Sequence, residues 1–179
     1  MQKDNGKKLG SIEILSSLML LCLTGLILLF GMKSREVKIY QKSIKDSLDL
    51  ACLSAAVIDT DYYEETGDIR INNISVSMNN FLDSLKTNMD LDNSLAPNHQ
   101  GDIGKVTVHA LYIFNITGIH NYEIYSMNSD NASYTRYVDG YDSDYTTTPD
   151  GKKIVTSTVY ADIGMNIKGM FGEPAMVPE

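Results

Sequence analysis

Eighteen consecutive residues from Ile14 to Gly31 carry no charge, and their only polar side chains are Ser16, Ser17 and Thr24. At 1.5 Å of rise per residue, a helix of that length covers about 27 Å, close to the roughly 30 Å hydrocarbon core of a bilayer. The three hydroxyls can bond back to carbonyls one turn earlier, so they do not disqualify the span. A cleaved secretory signal would have an apolar core of about 7–15 residues, followed by a small-residue cleavage site. Here the run is longer and leads into Met32-Lys33-Ser34-Arg35. The expectation is an uncleaved transmembrane helix over residues 11–31, with the lipid bilayer as its partner.

Charge divides the 179 residues in two. Residues 1–59 hold eight Lys/Arg and six Asp/Glu, net +2, whereas residues 60–179 hold seven Lys/Arg and seventeen Asp/Glu, net −10. Phosphate binding needs clustered Lys/Arg, so the acidic part argues against a nucleic-acid partner. Its acidity is read as solubility rather than as a recognition surface. Cys22 and Cys52 stand on one inferred helix about 45 Å apart, which excludes an intrachain disulfide. The fold is expected to rest on packing alone.

Helical patterning continues beyond the apolar run. Val37, Tyr40, Ile44, Leu48, Ala51, Ala55 and Ile58 recur at spacings of three and four, and no Pro or Gly interrupts residues 32–66. One helix from about Ile12 to Ile58 is predicted, lipid-embedded first and amphipathic over 32–59. Its apolar stripe has to be covered, either by the chain's own domain or by neighbouring subunits. The small residues from Ala51 to Ala56 allow another backbone to approach closely. An acidic loop is expected over residues 59–68, then a short strand at Ile69-Arg70-Ile71. Met78, Phe81, Leu82, Leu85 and Met89 predict a packed helix over residues 74–90, with Asn73 or Ser75 as N-cap.

The last third reads as strands. Val106, Val108, Ala110, Tyr112, Phe114 and Ile116 alternate and predict one buried face. Further strands are expected at residues 121–127 and 154–163, the last preceded by turn chemistry at Thr148-Pro149-Asp150-Gly151-Lys152. The fold class is therefore α+β: a long N-terminal helix, then a small antiparallel sheet of three or four strands with a second helix, residues 60–179 forming the acidic domain.

No catalytic constellation emerges: there is no Gly-rich phosphate loop, no Cys/His metal spacing and no nucleophile elbow. No catalytic, cofactor-binding or metal-ligating residue is assigned, and the chain is expected not to be an enzyme. His109 and His120 would approach one another in a hairpin of residues 106–127, but a metal needs further ligands. Asp139, Asp142, Asp144 and Asp150 form the densest carboxylate cluster, without the Gly and Glu positions of an EF-hand loop. Asn73, Asn115 and Asn131 each begin an N-glycosylation triplet, a pattern common by chance in an Asn-rich chain.

Glu13 is the informative charge, because a carboxylate at the membrane-entry end costs free energy unless it lies at headgroup level or finds a partner. Two readings stay open. The carboxylate sits at the interface, favoured by the helix macrodipole, or it meets an intermolecular partner such as a neighbouring chain's α-amine.

The basic stretch Lys7-Lys8-Leu9-Gly10, followed by Ser11-Ile12-Glu13-Ile14-Leu15 and the apolar run, resembles the N-terminus of type IV and Tad (Flp) pilin-like proteins, TadE-like pseudopilins in particular. The segment Asp46 to Ala56 is similar to the Asp/Ala-rich stretch that follows the anchor in that family. The resemblance covers about residues 7–58. It implies a cytoplasmic leader over residues 1–10, cut between Gly10 and Ser11 by a prepilin peptidase. Glu13 would then stand third, where pilins usually carry their Glu fifth. It also implies assembly with other pilin-like subunits through the helix, with Glu13, Ala51 and Ala55 as candidate assembly residues, and no cofactor. Counting Lys/Arg on either side of the span leans towards a cytoplasmic C-terminal domain. The resemblance and the Thr/Tyr/Asn-rich, β-containing domain point to an extracytoplasmic one. The resulting expectation is a single-pass structural subunit of a pilus or secretion apparatus. The alternative is a membrane-tethered binding module that does not polymerise.

Overall fold

A computed structural model describes residues 5–99, 103–116, 121–127, 134–140, 142, 146–168 and 174–176. It has the α+β arrangement: a long N-terminal helix, further helices and an antiparallel sheet. The chain separates into two compact units, Met1–Lys42 and Ser43–Glu179.

Helix α1 spans Asn5–Ala55. It starts earlier than the apolar run demands and ends three residues before Ile58, which instead forms an isolated bridge with Ile71. Residues 59–68 are not a loop. Asp59 caps a short helix α2, Thr60–Thr66, by accepting the Tyr62 amide proton, and Gly67 at φ 77° closes it. Ile69-Arg70-Ile71 forms no sheet strand; backbone bonds to residues 57–59 and side chains from the sheet domain hold it. Helix α3, Ile74–Met89, is capped by Asn73, whose side chain accepts from the Val76 amide. It buries Met78, Phe81 and Leu85 of the predicted stripe, with Leu82 and Met89 partly buried against the same core and Ile74 added to it.

The sheet has five strands: β1 Ile103–Ile116, β2 Asn121–Met127, β3 Tyr134–Gly140, β4 Thr158–Lys168 and β5 Pro174–Met176. Their order is β3-β2-β1-β4-β5, and each neighbouring pair is antiparallel. The alternation of β1 does not define a single buried face. Val108 pairs with Ile163 but Ala110 with Asp162, so β1 holds one more residue than β4 at His109. A bulge of this kind shifts the two-residue period by one. As a result Val106 and Val108 share a core with Leu111 and Ile113, together with Ala51, Ala55, Met78, Phe81 and Leu85 of the helices. The even positions after the bulge face the other way. There Phe114, Tyr122 and Ile124 pack with Ile154, flanked by Tyr112 and Tyr160. Ile154 is therefore a plug from the loop before β4, and the strand predicted over 154–163 begins only at Thr158.

Asn115 pins the segment that precedes α3. Its side chain is 1% exposed; its carbonyl accepts from the Ile71 amide at 2.9 Å, and its amide donates to the Ile71 carbonyl at 3.0 Å. The side chain thus supplies both hydrogen bonds that a neighbouring strand would. The Ser157 hydroxyl adds a bond to the Ile69 carbonyl at 2.6 Å. In contrast, the Ser77 hydroxyl is fully buried without a partner. An unsatisfied buried group costs about 1–3 kcal/mol. Asn115→Ala is expected to destabilise the fold by about 2–5 kcal/mol, because it strands two backbone groups. Ser77→Ala is expected to be neutral or stabilising, and urea denaturation of both variants checks the pair.

Candidate functional site

Between Ile14 and Phe30, helix α1 presents an apolar surface that is exposed among the described residues. It is long and apolar enough to cross a membrane: its 18-residue window has a mean hydropathy of 2.4, and no part of that window is buried. Twelve large apolar side chains between Ile14 and Phe30 are exposed. At roughly 1.5–3 kcal/mol for each such side chain removed from water, their exposure forgoes on the order of 20 kcal/mol. That exceeds the 5–15 kcal/mol stability typical of a whole domain, so this surface requires lipid or other helices. The hydroxyls behave as the sequence suggests. Ser16 donates to the Glu13 carbonyl at 3.0 Å, and Thr24 to the Leu21 carbonyl at 2.9 Å.

Glu13 is exposed at the start of this surface, beside a shallow hollow lined by Ile14, Ser17, Leu18 and Leu21. A single carboxylate at the rim of an apolar flank can accept a cationic donor that is presented alongside it. Gly10 and Ser11 lie within α1, several residues past its start at Asn5. Ala51 and Ala55 lie elsewhere, fully buried in the core of residues 43–179 against α3 and the sheet. Of the two covers open to the amphipathic stripe, its own domain takes these two positions. Cys22 and Cys52 are both free, one exposed and one half-buried.

The other polar clusters are committed to holding the fold. The Glu123 carboxylate accepts from the Tyr125 hydroxyl and pairs with Arg136 on β3. The hydrogen bond and charge of Arg136 hold the Glu123 carboxyl below the usual carboxylate range, against the opposing pull of burial. Burial and the same carboxylate push the Tyr125 hydroxyl up. Nearby, the Arg70 guanidinium lies over the Tyr62 ring, 5.5 Å from its centroid. A carboxylate held below its usual range is a weaker base than a free one.

His109 and His99 each face one carboxylate, Asp162 at 3.6 Å and Asp90 at 2.7 Å. The His109 ring lies directly over Gly164, where a Cβ would stand 2.5 Å from it. Asp150 is paired with Lys152 at 2.9 Å, and Asp139 accepts from the Gly140 amide. Among the described residues no three His, Cys, Asp or Glu side chains converge as metal ligands. His120, Asp144 and Asn131 lie outside the described residues. The buried, doubly bonded amide of Asn115 is closed to modification in the folded chain. Sequence reasoning missed both the Glu123–Arg136 pair and the Asn115 clamp, because each joins segments far apart in the chain, the first through the sheet register and the second through the packing of residues 69–71 beside the sheet. No protein-family model, curated protein or solved structure matches this chain.

The Glu123 pair sets a pH dependence. A carboxyl whose folded pKa is depressed adds stability that is present above the ordinary Glu value of about 4.3 and is lost as pH falls through the folded value. Thermal unfolding should therefore show the wild-type chain losing stability over that acidic window, and Glu123→Gln losing less of it.

Proposed function

We infer that the chain is a single-pass, pilin-like structural subunit of a Tad/Flp-type pilus or a related secretion apparatus. It assembles through its N-terminal helix and keeps its acidic domain outside the membrane. The observation that carries this reading is the bare apolar surface of α1 with one carboxylate, Glu13, at its entry. Lipid satisfies such a surface while the subunit waits; packing against like helices satisfies it equally well once the subunit leaves the bilayer. In an apolar bundle an unpaired Glu13 is costly, so pairing it with a neighbouring α-amine selects a register. The partners are other pilin-like subunits and the assembly machinery, with a prepilin peptidase acting between Gly10 and Ser11. The role is structural rather than catalytic.

A second reading is favoured by the burial of Ala51 and Ala55 inside the chain's own domain. A helix whose outer half is already packed needs no neighbours there, as in a tethered extracytoplasmic module that binds a partner without polymerising. Intact-mass measurement separates the two: loss of ten residues supports the pilin-like reading, and an unprocessed chain supports the tether. Glu13→Ala is expected to leave the domain folded while reducing incorporation into surface filaments. Unchanged incorporation, measured by shearing and immunoblotting, overturns the assembly role of Glu13.

A further inference from the structure

Directly beyond the uncharged run, residues 32–42 carry four Lys/Arg and one Glu, net +3, against the net −10 of residues 60–179. Neither assembly nor tethering uses this charge. The block lies wholly within the first compact unit, on the same unbroken helix as the apolar run. Lys33 is tied to Glu36 at 3.0 Å. Arg35, Lys38 and Lys42 are exposed, and among the described residues no hydrogen bond or ion pair engages their side chains. Their spacings of three and four place all three within about 60° of one another around the helix. Charges that serve only solubility would be mixed in sign and spread around the axis. These share both sign and face.

We propose that Arg35, Lys38 and Lys42 form a collar that gathers anionic lipid headgroups around the helix where it leaves the bilayer. The collar depends on the membrane-anchor part of the functional reading, and on neither filament assembly nor the side on which the domain lies. At 1.5 Å per residue, Arg35 stands about 6 Å beyond Gly31, Lys38 about 10 Å and Lys42 about 16 Å. The headgroup layer on each side of the hydrocarbon core is about 5–8 Å deep. Helical side chains lean towards the N-terminal end of their helix, which for residues past the span is back towards the bilayer. The long stems of Lys and Arg extend that reach. Lys42 then falls within a Debye length of the headgroups, about 8 Å at physiological salt. Insertion of the span brings headgroups beside these cations at once, whereas any acidic protein surface would have to be recruited. A Lys or Arg close to an anionic membrane surface strengthens association by roughly fivefold.

The test reconstitutes the full-length chain in phosphatidylcholine bilayers. Electron paramagnetic resonance then compares how much spin-labelled phosphatidylglycerol and spin-labelled phosphatidylcholine the protein immobilises. The anionic lipid should be preferred by about two- to fivefold at low salt. That preference should fade at about 1 M NaCl, where the Debye length is about 3 Å. Replacing Arg35, Lys38 and Lys42 together by Gln should bring the two lipids to parity. Exchanging Arg for Lys and Lys for Arg at the same positions should keep the preference, and Glu36→Gln should raise it. The triple change Lys86→Gln, Lys105→Gln and Lys153→Gln, outside the collar, should leave it unaltered. Equal immobilisation of the two lipids by the wild-type chain, or an unchanged preference after loss of the three collar cations, overturns the proposal. Alkaline carbonate extraction of the same membranes keeps the two readings apart. A chain released by it refutes the anchor and the collar together, whereas an inserted chain without lipid preference refutes the collar alone.

Discussion

Water cannot solvate a helix that is apolar on every side, and much of this molecule follows from that. Helix α1 satisfies its own backbone hydrogen bonds, which is the one requirement a bilayer imposes on a spanning segment. Its large apolar side chains from Ile14 to Phe30 are exposed, a surface suited to lipid or to other apolar helices. Past that stretch the helix becomes selective. Ala51 and Ala55 are small enough to lie flush against the core, whereas Leu50 and Leu53 are turned away from it. The single helix is thus a tether, a wall of the domain's core and an exposed surface, at different positions along one sequence.

The domain that closes over the end of α1 has to bury two faces of its sheet with one central strand. Strand β1 does this by carrying an extra residue at His109, so that Val106 and Val108 before it and Leu111 and Ile113 after it serve the helix-side core, while Phe114 serves the other face. Gly164 across from it leaves room for the displaced imidazole. The opposite face is sealed by a loop, with Ile154 pushed into the aromatic layer of Phe114 and Tyr122. Tertiary packing, more than strand propensity, therefore decides where an apolar residue is found.

Local periodicity accounts for what was legible in the sequence. The α1 span, the α3 stripe from Met78 to Met89 and the β1–β2 hairpin all declare themselves by spacing. Phase is less visible: the alternation from Val106 to Ile116 is real as sequence, yet one bulge residue divides it between two cores. Helix α2 was missed because its seven residues are mostly charged or aromatic, although Asp59 and Gly67 are good caps at its two ends. Long-range polar contacts are less visible still. Nothing around Asn115 announces that its amide will stand in for a strand against Ile71, forty-four residues away. The entry surface with Glu13 was legible because it depends only on local hydropathy and one charge, whereas the burial of Ala51 and Ala55 depended on the whole fold.

The clamp at Asn115 also links the end of α1 to the sheet. Just beyond α1, the Val57 carbonyl accepts from the Asn72 amide and the Asp59 amide donates to the Arg70 carbonyl, while Ser54 and Asn80 exchange bonds between helices. Ile71, the residue held between those backbone bonds, is the one that Asn115 grips from the central strand. The end of the helix is therefore joined through several hydrogen bonds at once to the middle of the sheet. The strands at the two edges, β3 and β5, take no part in those bonds, so the end of the helix is tied to the centre of the sheet rather than to its rim.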